Sequence, residues 1–176
     1  SMFRPQISWS LVSSSSFGVR DYNKGFLFDV SGSAIFVEDD NRNYIIALCN
    51  TKIVKRHLQL LNPTINYQPG NIRDLIFILD NSKKKIVDTI IEIITQISKS
   101  DWDSRETSWD FEELPLLNNS SSLPKSYSNW EEKVTEDFFM LHKNEEDLNR
   151  IFIDIYGLQD ELTPDVALKD ITILQD

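Results

Sequence analysis

Sulfur and imidazole are nearly absent from this sequence. Cys49 is the only cysteine in 176 residues. That excludes a disulfide framework and a cysteine-based zinc site, and it points to a cytoplasmic setting. Histidine occurs twice, glycine five times and proline six times, too few of the last two for a loop-rich scaffold. No apolar run approaches the roughly 20 residues that a membrane span needs. No basic-plus-apolar leader opens the chain, so no membrane partner is expected. Ser1-Met2 reads as a tag remnant ahead of a chosen start. What is present is one domain's length, or one domain plus an appendage, with 40% apolar residues to build a core.

The net charge is −10, which at first argues against a polyanion. Its distribution is uneven. Residues 1–100 hold 12 Lys and Arg against 9 Asp and Glu, a net of +3; residues 101–176 hold 6 against 19, a net of −13. Affinity for DNA comes largely from cations facing phosphates, so any DNA contact is expected in the N-terminal half. The acidic half is expected to be a spacer, a lid or a surface for another protein, with a solvated acidic surface as the plain alternative.

Periodicity divides the chain further. Ile7, Trp9 and Leu11 alternate as in a strand, and a four-serine run follows. Residues 21–25 (DYNKG) form a turn, with Gly25 free to take positive φ. Residues 26–30 (FLFDV) and 34–37 (AIFV) read as two strands around a turn or bulge at Gly32. Asp39-Asp40-Asn41 offers capping oxygens to a helix through residues 44–49. A second helix over 52–61 carries Ile53, Val54, Leu58 and Leu61 near period 3.6 and stops at Asn62-Pro63. Residues 64–68 are expected to be extended, Pro69-Gly70 to turn, and 75–79 (LIFIL) to be a buried strand or short apolar segment.

From Ser82 the pattern becomes helical. Ile86, Ile90, Ile93, Ile94 and Ile97 mark one face of a helix over 83–99. A long helix over about 126–156 carries Trp130, Val134, Phe138, Leu141, Leu148, Phe152 and Ile155 at coiled-coil-like spacing, with Gly157 as its C-terminal cap. The expected fold is α+β: a small mixed β-sheet with helices over residues 1–80, then a long antiparallel helical hairpin or arm with an acidic tail over 81–176.

Four stretches carry a family resemblance. They are 7–20; 24–36 (KGFLFDVSGSAIF); 48–78, including LNPTINYQPGNIRDLIFI; and 101–113 (DWDSRETSWDFEE) together with 148–166 (LNRIFIDIYGLQDELTPDV). In order and spacing they resemble the C-terminal specificity region of adenine-specific DNA methyltransferases of BREX phage-exclusion and Type II restriction–modification systems. The resemblance covers nearly the whole chain. It implies a target-recognition role on double-stranded DNA, alongside an upstream methyltransferase domain of the same parent chain and other proteins of the defence system. In the parent, S-adenosylmethionine would supply the methyl group, and the adenine would be flipped out of the duplex. This chain has neither the Gly-rich turn that binds S-adenosylmethionine nor the Asn/Asp-Pro-Pro-Tyr/Phe loop that grips adenine. No cofactor and no catalytic residue are therefore expected in it.

Three groups are candidates for DNA contact, each against a plain structural alternative. Ser13, Ser14, Ser15, Ser16, Arg20 and Lys24 gather hydroxyls and cations at strand ends and turns, suited to phosphates and base edges; the alternative is a solvated serine loop. Lys52, Lys55 and Arg56 share a helix, and Lys52 and Arg56 at i,i+4 share a face; the alternative is a solvated helix face. Asn66, Tyr67 and Gln68 offer amides that pair with adenine and a ring that stacks; the alternative is a structural turn. Lys83-Lys84-Lys85 reads as a solvated helix end. Trp102, Trp109 and Phe111 alternate with acids and are expected to pack onto the arm or onto an upstream domain. Glu145-Glu146-Asp147 has no ligand partner at metal spacing, and His142 is expected on a solvent face, so no metal is expected.

Overall fold

The computed structural model describes residues 3–14, 16–117 and 122–173. The chain divides into two compact units: Ser1–Ile91 with Asp147–Pro164, and Glu92–Glu146 with Asp165–Asp176.

The first unit contains β1 (Gln6–Ser10), β2 (Arg20–Tyr22) and β3 (Gly32–Ile35), then α1 (Asp39–Cys49), α2 (Lys52–Leu61) and α3 (Pro69–Arg73). It also takes the start of α4 (Asn81–Asp103) and the end of α5 (Leu123–Tyr156). The α+β expectation holds. The sheet has the order β2-β1-β3, and both pairings are antiparallel, with Ile7 opposite Asp21 on one side and Ile35 on the other. Alternation places Ile7 and Trp9 in the core, as their spacing in the sequence demands. Arg42 of α1 clamps the sheet's open end. Its guanidinium donates to the carbonyls of Gln6 (2.9 Å) and Tyr22 (3.0 Å) and pairs with the Asp21 carboxylate.

The helices bury Tyr44, Leu48, Ile53, Val54, Leu58 and Phe152, each contributing roughly 1.5–3 kcal/mol if fully withdrawn from water. Helix α2 begins without a side-chain cap from Thr51. A remote residue fills the gap: Asn149 Oδ1 accepts the Lys52 N–H (3.0 Å), while Asn149 Nδ2 donates to the Pro164 carbonyl (3.2 Å). This explains why residues 147–164, distant in sequence, belong to the first unit. Helix α5 ends as its glycine predicts. Gly157 has φ +66, its N–H donates to the Asp154 carbonyl, and the Leu158 N–H reaches back to Ile153.

Two local expectations fail, and a third is decided between its alternatives. Residues 26–30 form no strand; they are an exposed loop, and Asp29 Oδ1 accepts the Gly32 N–H at 2.8 Å to start β3. Pro69-Gly70 opens a short helix, because Asn71 Oδ1 accepts the Gln68 N–H (3.0 Å) and the Asn71 N–H donates to the Gln68 carbonyl (2.9 Å). Residues 75–79 are not the buried strand but the other alternative, a short apolar segment, and it is largely exposed. Apolarity alone could not show that no neighbouring strand exists to receive them.

The second unit contains the rest of α4 and α5 and the C-terminal segment. Ile97, Leu141, Ile171 and Ile173 form its buried centre, with Ile93, Ile94, Phe138 and Val166 packed against them. The tail is thus more than a solvated acidic surface, since two of its isoleucines lie in the core. His142 is also not on a solvent face. Its Nε2 lies 2.7 Å from the Val166 carbonyl and 3.4 Å from Glu146, whose carboxylate accepts the Val166 N–H (3.0 Å). The pair fastens the tail to α5.

Candidate nucleic-acid interface

Two of the three candidate groups are brought together. Beyond Ser10 the chain of β1 leaves β3 and pairs with the loop after α2. The Tyr67 N–H donates to the Leu11 carbonyl (2.7 Å), the Ser13 N–H donates to the Ile65 carbonyl (3.0 Å), and Val12 bridges Asn66 in antiparallel fashion. Ser13 therefore sits beside Asn66-Tyr67-Gln68, 53 residues or more away in sequence. Ring packing locks the arrangement. Trp9 Nε1 donates to the Tyr67 carbonyl at 2.8 Å. Buried Phe17 contacts Trp9 at 6.3 Å and meets Tyr67 edge-on at 5.1 Å.

The serine loop is tied at both ends. Ser13 Oγ donates to the Ser16 carbonyl at 3.4 Å. Past Phe17, the side chain of Asn50 between α1 and α2 accepts the Val19 N–H (3.0 Å) and donates to the Val19 carbonyl (3.2 Å). Ser14 and Ser16 are exposed, and Ser15 lies outside the described residues. Arg20 opens β2 opposite Ser8 and is exposed, as is Lys24 before the positive-φ Gly25.

The second loop has an organiser that reading the sequence missed. Asn62 Nδ2 donates to the Asn66 carbonyl (2.6 Å) and to Asn71 Oδ1 (3.1 Å), while Asn62 Oδ1 accepts from Thr64 Oγ1 (2.8 Å). Gln68 Nε2 then donates to Asn66 Oδ1 at 3.0 Å. The signal was present as polar residues at 62, 64, 66 and 68. Asn66 and Gln68 thus present linked amides, the exposed one being Gln68, with the half-buried Tyr67 between them. Each amide keeps a second donor hydrogen or acceptor lone pair for an outside partner.

The helix cations differ from one another. Lys52 is half-buried, and its Nζ donates to the Thr163 carbonyl at 3.1 Å. Lys55 is half-buried, whereas Arg56 is exposed. Arg56 is therefore the more open cation of the pair proposed to share a face.

The other titratable groups are structural. Burial pushes the Cys49 thiol up from 9.0 to about 12 and raises the Tyr44 and Tyr156 phenols. Bonds from Ser82 hold the Asp80 carboxyl below its usual range. In the second unit, Lys99 pairs with Asp103 (2.5 Å) and Asp110 (2.6 Å), which raises its pKa and lowers that of Asp103. These residues, with Trp109, Trp130 and Asp137, line an open groove of about 810 Å³. Trp109 is 99% exposed and Trp102 50%, while Phe111 is half-buried, so among the described residues Trp109 lacks the packing expected for it. Among the described residues, no group of His, Cys, Asp or Glu is placed to hold a metal ion, and no helix is long and apolar enough to cross a membrane.

Gly25, Gly157 and the Asn62-Pro63 pair each serve a local turn or helix end. Among the described residues, the sheet passes directly into a helix from β3 to α1, through Phe36-Val37-Glu38, a connection without glycine. Of the two positive-φ glycines, Gly25 lies in a turn between β2 and β3 and Gly157 ends a helix. Asn62, of the lone Asn-Pro pair, spends its amide inside its own loop.

These loops and cations lie on an α+β scaffold. No protein-family model matches the chain. It is 35% identical to the adenine-specific methyltransferase PglX of Lacticaseibacillus casei (strain Zhang) over 97% of its own length and 15% of that protein. It is 33% identical to the adenine-specific methyltransferase BrxX of Escherichia coli O9:H4 (strain HS) over 92% of its own length and 13% of that protein. The chain therefore spans about one seventh of the length of these curated relatives.

Proposed function

We propose that this chain is the sequence-reading portion of an adenine-specific DNA methyltransferase of a BREX-type or restriction–modification defence system, with no methyl transfer of its own. The observation that carries the reading is similarity over nearly all of this chain to one segment of two adenine-specific methyltransferases. In this reading, methyl transfer from S-adenosylmethionine and adenine flipping belong to an upstream domain. The loops of Ser13, Ser14, Ser15, Ser16 and of Asn66-Tyr67-Gln68 face the duplex in the cytoplasm. Arg20, Lys24, Lys55 and Arg56 meet phosphates, and Lys52 joins them only by giving up Thr163.

Methylome sequencing of cells carrying the full-length gene, with residues 6–80 kept or exchanged for those of a relative, tests this. The methylated sequence is expected to change with the exchange. An unchanged methylated sequence, with methylation intact, overturns the proposal.

A second reading has its own support. Trp109 stands fully exposed beside Asp110 in the acidic half. In that reading the second unit docks another protein of the defence system, and Trp109→Ala abolishes co-purification of that protein while leaving the methylated sequence unchanged.

A further inference from the structure

Residues 75–79 (LIFIL) run between α3 and α4 and have no partner strand among the described residues. Two tyrosine hydroxyls take the place of one. Tyr156 Oη donates to the Ile76 carbonyl (2.7 Å) and accepts the Ile78 N–H (3.2 Å). Tyr44 Oη donates to the Ile78 carbonyl (3.1 Å) and accepts the Asp80 N–H (3.2 Å). In an extended chain, alternate residues turn their N–H and C=O groups to opposite edges. The Ile76 carbonyl, both backbone groups of Ile78 and the Asp80 N–H are therefore spent on the tyrosines, and Phe77 and Leu79 turn theirs to the other edge. Among the described residues, those four backbone groups have no hydrogen-bond partner. The side chains of Ile76, Phe77, Ile78 and Leu79 are also exposed, Ile76 by 57%.

An edge held straight on one side, open on the other and lined with apolar side chains is a template for strand addition. Its chemistry selects the occupant. Residues 75–79 carry no charge; Asp74 and Asp80 flank them, with Arg73 and Lys83 just beyond, so the edge itself offers a phosphate backbone no cation. An uncharged extended segment would meet matched donors, acceptors and apolar surface. Four backbone groups are too few to offset the free motion lost when two separate molecules join. A segment of the same polypeptide has already lost most of that freedom. The curated relatives place about 85% of their length outside the matched segment, so proteins of that kind hold ample chain to supply it. We propose that residues 76–79 are a pre-formed edge that receives, as an added β-strand, an extended apolar segment of the same polypeptide from outside residues 1–176. The proposal needs only that the chain is part of a longer protein, not that it reads DNA.

The test uses the full-length protein with Ile76→Cys, labelled with a short cysteine-reactive photo-crosslinker, and the unsubstituted protein as blank. Native Cys49 is buried with its thiol pushed up to about 12, so it stays unlabelled. The expected product is an intramolecular crosslink to a peptide outside residues 1–176. Adding Leu79→Pro removes one outward N–H while leaving the tyrosine-held groups in place, and it is expected to lower the crosslink yield severalfold. Leu79→Val, which keeps that N–H, leaves the yield unchanged. A crosslink to a second copy, a crosslink confined to residues 1–176, no crosslink, or a yield indifferent to Leu79→Pro overturns the proposal. No DNA enters the readout, so its failure leaves the sequence-reading proposal untouched.

Discussion

Leu141→Ala tests the core of the second unit most directly. Leu141 is 1% exposed and packs with Ile97, Ile171 and Ile173, so its side chain joins α4, α5 and the C-terminal segment. Truncation removes three carbons from a buried site. At about 0.8 kcal/mol for each, the transfer loss is near 2.4 kcal/mol, and the void left behind adds about 1–2 kcal/mol. The expected cost is therefore about 3.4–4.4 kcal/mol, a large share of the roughly 5–15 kcal/mol that holds most domains folded. Phe139, two residues earlier on the same helix, is 57% exposed, and Phe139→Ala is expected to cost less than about 1 kcal/mol. Urea denaturation followed by circular dichroism measures both. With a slope near 2 kcal/mol per molar urea, the Leu141 variant should unfold about 1.7–2.2 M earlier than the parent. Equal midpoints for the two variants would refute the core as described, and would mean that the seam of α5 faces a partner outside this chain.

Stability should also fall at alkaline pH, because the Cys49 thiol is raised from 9.0 to about 12 and the Tyr44 and Tyr156 phenols above 10.0. A raised pKa contributes stability that is complete below the unfolded value and is lost as pH climbs through the folded one. The decline should therefore begin above pH 9, and Cys49→Ala should flatten its first part; urea midpoints that fall equally in both proteins between pH 8 and 11 would contradict this. On DNA, Arg56→Glu in the full-length protein should weaken binding to all sequences alike and make it less sensitive to salt. Asn66→Ala should instead alter which sequence is preferred, and binding isotherms on cognate and scrambled duplexes at two salt concentrations separate the two effects.

Much of the architecture was legible because it depends on local periodicity. The alternation of Ile7 and Trp9, the 3.6-residue stripe of Ile53, Val54 and Leu58 in α2 and the glycine stop at Gly157 each follow from the geometry of one element. The family resemblance was legible for a similar reason, since it lies in the order of residues along the chain. Partners distant in sequence were not legible. Nothing near Lys52 announces that Asn149 completes the start of α2, or that Thr163 receives its ammonium group. The four-serine run and Asn66-Tyr67-Gln68 looked like two separate candidates until Val12 and Asn66 paired across Phe17. The LIFIL segment shows the limit most clearly. Its composition left a buried strand or a short apolar segment open, and whether an apolar stretch is covered depends on what the rest of the molecule places beside it. Here that is two tyrosine hydroxyls on one edge and, among the described residues, no backbone partner on the other. Sequence determines what each segment could become, through its period and its caps. Tertiary structure decides which hydrogen bonds are made, because each donor is matched to an acceptor by distance in space rather than by position in the chain.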